Sequence, residues 1–210
     1  MQKIPYFLCL AFMLFSFQPV QVTEEPVPTK PEDVSPLLIG EQVPDLMVED
    51  LAGKKQSLKA LVAKQKTILI FYRGGWCPFC NKHLAALGKL EEKLRADGYQ
   101  IVAISPDKAS ELKKTTDKLE LPYTLLSDND MEAAKQFGIA FQVSDEVLKK
   151  YKEYGIDLST SSGGGNKDLL PVPSVFFLDK EGTIKFEYIN PNFKERVPEA
   201  LLLAAAKSMK

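Results

Sequence analysis

The sequence predicts an α/β domain with a central mixed sheet flanked by helices, and three observations carry the prediction. From residue 67 onward, short β-branched and aromatic runs alternate with runs of helical apolar spacing, which implies parallel strands covered by helices on both faces. Near the C-terminus, residues 175–178 and 183–188 are joined by Asp179-Lys180-Glu181-Gly182, the pattern of an antiparallel hairpin. Ahead of the alternation, residues 46–48 and 56–58 flank Asp50-Leu51-Ala52-Gly53-Lys54, a short N-terminal hairpin in which Gly53 supplies the positive φ of a tight turn.

Composition limits what surrounds this domain. A chain of 210 residues accommodates one ordinary core, and 27 basic against 28 acidic side chains give no electrostatic case for a nucleic-acid partner. Residues 4–17 form an apolar run behind Lys3, about a dozen residues against the roughly 20 of a membrane span, so 1–22 reads as a cleaved signal peptide. An uncleaved N-terminal anchor is the alternative, because small residues at the cleavage spacing are lacking. Residues 23–36, with Pro26, Pro28, Pro31 and Pro36 among polar neighbours, read as an extended tether without packed structure. The folded domain is expected over 37–210, exported to the periplasm or another extracytoplasmic space, with no stable membrane partner.

Within the domain, residues 67–72 read as a central strand buried on both faces and ended by Gly74-Gly75. Leu84, Leu87, Leu90 and Leu94 recur at helical spacing until Asp97-Gly98. Residues 99–104 form the next strand, Ser105-Pro106-Asp107 a cap-like turn, and 109–119 a helix. A shorter strand at 123–126 precedes a helix over 131–137. Residues 143–154 predict a charged amphipathic helix, 159–166 a flexible Ser/Gly surface loop, and 197–209 a closing helix with Pro198 in its first turn.

The chemistry concentrates in Trp76-Cys77-Pro78-Phe79-Cys80. Two sulfurs at this spacing are a redox pair or half of a metal site, and a disulfide closing so small a loop adds little stability. At a strand-to-helix junction, unpaired amides and the helix dipole favour a thiolate, so Cys77 is the expected nucleophile and Cys80, one turn in, its resolving partner. Trp76 offers an apolar surface beside the sulfur, and Gly74-Gly75 an open approach for another chain. With His83, the cysteines supply three ligands where structural zinc wants four, and Asn81 stands where covalent haem needs histidine; no metal or cofactor is expected. His83 reads as an ordinary helix residue or as an aid to proton transfer.

Three segments carry a resemblance: Ile39-Gly40-Glu41-Gln42-Val43-Pro44-Asp45, Phe71 through Cys80, and Pro171 through Asp179. Over about 37–206 the chain resembles the thioredoxin superfamily, and more closely the peroxiredoxin-like group of the alkyl hydroperoxide reductase and thiol-specific antioxidant family. The resemblance implies a thioredoxin-like fold and places Pro173 at a substrate-docking cis-proline, a trans strand-edge proline being the alternative. Laid without gaps on the peroxidase pattern of Pro, three residues, Thr, two residues and Cys, Arg73 stands at the proline, Cys77 at the threonine and Cys80 at the peroxidatic cysteine. The peroxide-polarising arginine falls near Pro173. Arg73 and Arg196 are candidate cationic replacements, with ordinary surface roles as the alternative.

The sequence therefore predicts an exported antioxidant thiol oxidoreductase cycling Cys77 and Cys80 between dithiol and disulfide. Its expected partners are a protein or small-molecule disulfide and a thioredoxin-like electron donor or acceptor. The alternative enzyme reading is reduction of hydrogen peroxide or alkyl hydroperoxides with Cys80 peroxidatic. A third is a binding module with an inert disulfide, whose potential would lie below about −300 mV.

Overall fold

The structure is a computed structural model that describes residues 26–209. The signal-peptide expectation for 1–22 falls outside those residues. The tether expectation is corrected where it is described: Val27, Val34 and Leu37 pack against the core. The Gln142 amide donates to the Pro28 carbonyl at 2.8 Å, and the Leu37 amide to the Phe137 carbonyl at 3.1 Å. Prolines fix an extended backbone and remove donors, so such a segment lies along a surface with few hydrogen bonds. Gly138 makes room for it, since a Cβ there would sit 2.0 Å from the Ser35 carbonyl oxygen.

The N-terminal hairpin forms as expected from β1 (Met47–Glu49) and β2 (Lys55–Ser57), with Gly53 at φ +76°. It is followed by α1 (Leu58–Val62), whose first turn is capped by Ser57 Oγ accepting from the Ala60 amide at 3.1 Å. Then come β3 (Lys66–Phe71), α2 (Pro78–Ala96), β4 (Tyr99–Ser105), α3 (Ala109–Leu119), β5 (Thr124–Ser127) and α4 (Glu132–Gln136). The chain continues through β6 (Ala140–Gln142), α5 (Asp145–Glu153), α6 (Leu158–Ser162), β7 (Leu169–Pro171), β8 (Ser174–Leu178), β9 (Ile184–Ile189) and α7 (Glu199–Ser208). Pro198 is the N-cap of α7 rather than a first-turn residue.

The main sheet has the order β2-β1-β5-β4-β3-β8-β9. Only the β5-β4-β3 centre is parallel; the hairpins at both edges add antiparallel strands, so the sheet is mixed and not mostly parallel. β3 lies inside the sheet between β4 and β8 and alternates between two cores, as the period of a strand dictates. Leu69 and Phe71 join Phe137, Phe176 and Leu178 on one face. Ile68, Ile70 and Tyr72 join Leu84, Leu87, Leu90 and Leu94 of α2 on the other.

Two features depart from the sequence. Strands β6 and β7 pair antiparallel as a separate ribbon that was not expected. The Ser/Gly tract is no free loop: Asp157 caps α6 by accepting from the Thr160 amide at 3.1 Å, and Ser162 and Asn166 are buried. The Lys108 amide donates to the Ser161 carbonyl at 2.9 Å, and a Cβ on Gly165 would lie 2.5 Å from the Asn129 carbonyl oxygen. The small residues there allow close docking.

Candidate active site

β3 ends at Phe71 and α2 begins at Pro78, so the intervening turn carries the cysteines to the C-terminal edge of the parallel strands, where ligands of open α/β sheets bind. Cys77 is the N-cap of α2, with extended backbone at φ −88° and ψ 115°. Pro78 occupies the first helical position, where a missing N–H costs nothing. The Cys77 amide donates to the Gly74 carbonyl at 3.1 Å, and the Asn81 amide to the Cys77 carbonyl at 3.0 Å.

Both backbone groups of Gly75 are held by side chains. Asp107 Oδ2 accepts from its amide at 2.7 Å, and Asn81 Nδ2 donates to its carbonyl at 2.8 Å. Ser105 Oγ donates to the same carboxylate oxygen at 3.2 Å. Asp107 therefore pins the cysteine turn instead of capping α3, whose N-cap is Lys108. Burial raises the Asp107 carboxyl from 3.8 to about 6 against the lowering effect of those donors.

The glycines serve internal packing, which corrects the expectation of an open approach. Gly74 is buried at φ +141°, and a Cβ on it would lie 2.3 Å from Trp76 Nε1. A Cβ on Gly75 would lie 2.0 Å from Thr115 Oγ1. Trp76 is half-buried, its ring 5.5 Å from that of Tyr151 on α5. Phe79, by contrast, is 39% exposed beside the pair.

The two thiols are free and differ in acidity. A hydrogen bond from the Cys80 thiol is the largest influence on Cys77, and with the Cys80 amide and the charges of Arg73 and Arg196 it lowers Cys77 from 9.0 to about 6 against the opposing effect of burial. Burial, followed by the hydrogen bond and negative charge of Cys77, pushes Cys80 well up. Cys77 is the ionised partner at neutral pH and Cys80 the proton-bearing one. Both are buried, at 1% and 0% exposure, so a bulky disulfide reaches Cys77 only when its surroundings open locally.

The auxiliary residues come together around this pair. Arg196 Nη2 donates to Cys80 Sγ at 3.4 Å, and its Nη1 donates to the Glu195 carbonyl at 2.6 Å. Arg73 is buried at 3% exposure, which corrects its surface alternative. Its guanidinium stacks 4.0 Å from the centroid of Phe193, 5.0 Å from Trp76 and 5.6 Å from Tyr151, and it donates to the Tyr151 hydroxyl. His83 shares a narrow crevice with Pro173 and Arg196. Burial, then Arg196, lowers it from 6.5 to about 4, so it is neutral at physiological pH, and its Nε2 has no hydrogen-bond partner among the described residues.

Pro173 is corrected in conformation: no peptide bond among the described residues is cis. The chain runs extended from β7 into β8, with the Val172 amide on the Ile139 carbonyl at 2.8 Å and the Asn190 amide on the Pro173 carbonyl at 3.3 Å. Among the described residues, no cluster of three or more His, Cys, Asp or Glu could hold a metal. Sequence reasoning missed Asp107, which looked like a helix cap, and Tyr151 and Phe193, whose contacts to Arg73 join segments far apart in sequence.

A thioredoxin-like sheet with a two-cysteine turn of divided acidity ahead of its first long helix defines a thiol oxidoreductase. More closely, the chain belongs to the AhpC/TSA family, whose model matches residues 39–187. It is 26% identical to the thiol-disulfide oxidoreductase ResA of Bacillus anthracis over 166 residues, 79% of this chain and 78% of that one. It is 29% identical to the chloroplastic peroxiredoxin Q of Arabidopsis thaliana over 151 residues, 72% of this chain and 59% of that one. Among solved structures, peroxidoxin BcpB of Mycobacterium tuberculosis superposes with a TM-score of 0.63 at 19% identity, covering 82% of this chain and 97% of that one. Reduced Prx3 of Vibrio vulnificus, solved with hydrogen peroxide, gives 0.65 at 19% identity over 81% and 99%. These superpositions show the fold.

Proposed function

We propose that the protein performs thiol-disulfide exchange with Cys77 as nucleophile and Cys80 as resolving thiol. The observation that carries this is the division of acidity: Cys77 is lowered to about 6 while its hydrogen-bonded neighbour is pushed up. The Cys77 thiolate attacks one sulfur of a substrate disulfide, a mixed disulfide forms, and the other substrate sulfur leaves as thiolate and takes up a proton. Cys80 then loses its proton and attacks Cys77 Sγ, releasing the second substrate thiol and leaving the Cys77–Cys80 disulfide. Two electrons pass to the substrate, and a thioredoxin-like partner restores the dithiol. The exposed Phe79 and the half-buried Trp76 are the docking surface for a protein or small-molecule disulfide, and the buried Pro173 joins it when the surroundings of Cys77 open.

Peroxide reduction at Cys80 is the second reading. Arg196, 3.4 Å from Cys80 Sγ, is the observation that favours it, and relatives named peroxiredoxin lend it support. Against it, Cys80 is completely buried and held as the thiol. Stopped-flow mixing of reduced protein with hydrogen peroxide and with a model protein disulfide decides between them. Exchange predicts fast oxidation by the disulfide and a peroxide rate no greater than that of free cysteine; the reverse order overturns it.

We propose export on the strength of the apolar run at 4–17, with a periplasmic or other extracytoplasmic site of action. No helix among the described residues is long and apolar enough to cross a membrane. Finding the mature protein with residue 1 intact in the cytoplasmic fraction would reject this.

A further inference from the structure

Arg73 is unusual for a cation buried to this degree: among the described residues no carboxylate forms an ion pair with it. A buried charge is ordinarily paired, because desolvation costs several kcal/mol. Here the guanidinium rests against the faces of Phe193, Trp76 and Tyr151 and the Tyr151 hydroxyl, and the Cys77 thiolate is the negative charge that feels it. Arg73, Tyr151 and Phe193, together with Pro173, line a cavity of about 210 Å³. Its remaining walls are mostly apolar, with Phe141, Val143 and Val147 prominent, and the packed N-terminal segment closes one edge through Thr29 and Pro31.

We propose that this cavity is a binding site for a small monocarboxylate with an apolar body, its carboxylate pairing with Arg73 and its hydrocarbon lying along Phe141, Val143 and Val147. The guanidinium fork matches a carboxylate in two parallel hydrogen bonds, a pairing that no carboxylate among the described residues provides. A phosphate is a poorer match, because a single cation set in apolar walls lacks the cluster of amides that phosphate sites employ. The volume is below the roughly 300–1,000 Å³ of sites for drug-sized ligands, which sets a short chain or single ring as the occupant. Neither cysteine lines the cavity, so carboxylate binding is read separately from the reaction of the pair.

The test is calorimetric titration of the reduced full-length protein with octanoate and, separately, with 1-octanol. Saturable octanoate binding at least tenfold tighter than octanol is expected. Arg73→Met should remove the preference for octanoate. Val147→Trp, on the half-exposed face of α5, should fill the cavity and abolish binding while the fold, read by circular dichroism, is retained. Val147→Trp decides the matter if Arg73→Met does not fold. Binding of octanol as tight as octanoate overturns the proposal, since any apolar segment would then serve. Octanoate binding undiminished in Val147→Trp overturns it too, as does absence of saturable binding, the result expected if the chain's own first 25 residues filled the cavity.

Discussion

Replacing Cys80 by alanine removes the largest single influence on the Cys77 thiolate, the hydrogen bond it accepts from the Cys80 thiol. A hydrogen bond to a charged group contributes about 1.5–3 kcal/mol, and 1.36 kcal/mol corresponds to one pH unit of midpoint. The Cys77 midpoint should therefore rise from about 6 to about 7–8. Only the thiolate is nucleophilic, so the rate of Cys77 alkylation by iodoacetamide at pH 6 should fall about 5- to 50-fold. Thiolate absorbance at 240 nm during a pH titration measures the same midpoint independently. Cys80→Ser, which keeps a hydroxyl donor, should shift it less. A midpoint that stays at about 6 in Cys80→Ala would show that the hydrogen bond is not what ionises Cys77 and would refute the reasoning.

Four further outcomes follow from the same contacts. His83 is the one histidine of the chain, so its NMR titration is unambiguous; the midpoint should be about 4 and should rise in Arg196→Met, yet stay below 6.5 because burial is the larger cause. Asp107 is raised from 3.8 to about 6, so between those values the folded state binds more protons than the unfolded state, and this group's contribution to stability falls as pH rises through that window. Asp107→Asn should flatten that part of the urea-midpoint profile, by up to about 3 kcal/mol across the window. Gly75→Ala should lower the melting temperature through its clash with Thr115 Oγ1, at a cost of about 1–3 kcal/mol, and Thr115→Ala in the same chain should recover most of it because the next contact is 3.2 Å. Saturating octanoate should slow Cys77 alkylation at pH 6, since a carboxylate on Arg73 screens a charge that lowers Cys77, whereas octanol should have no effect.

Much of the fold is legible from local pattern. The leucine spacing of α2 and the β-branched run of β3 state both element type and buried face, because burial on one stripe or on both sides leaves a period in the sequence. The β6–β7 ribbon leaves none: three-residue strands are too short for a period to emerge, and the pairing joins Ala140 to Pro171 across α5 and α6. The Ser/Gly tract misleads for a related reason, since small polar residues suit an open loop and also the close docking of Gly165 against Asn129. At the site, the cysteine pair and the place of Cys77 at a helix start are legible, because the β-branched run and the leucine spacing meet there. The burial of Arg73 is not, because it is created by Phe193, Trp76 and Tyr151 arriving from three segments. Pro173 shows the limit of resemblance, as the connection between β7 and β8 is trans where the resemblance implies a cis bond.

Trapping distinguishes attack by Cys77 and resolution by Cys80 from the reverse order. Cys80→Ser protein is incubated with a disulfide-bonded model protein, quenched in acid, and mapped by mass spectrometry. A stable mixed disulfide on Cys77 is expected, with Cys77→Ser forming none on the same timescale. A mixed disulfide on Cys80 in the Cys77→Ser protein at an equal or greater rate would contradict it.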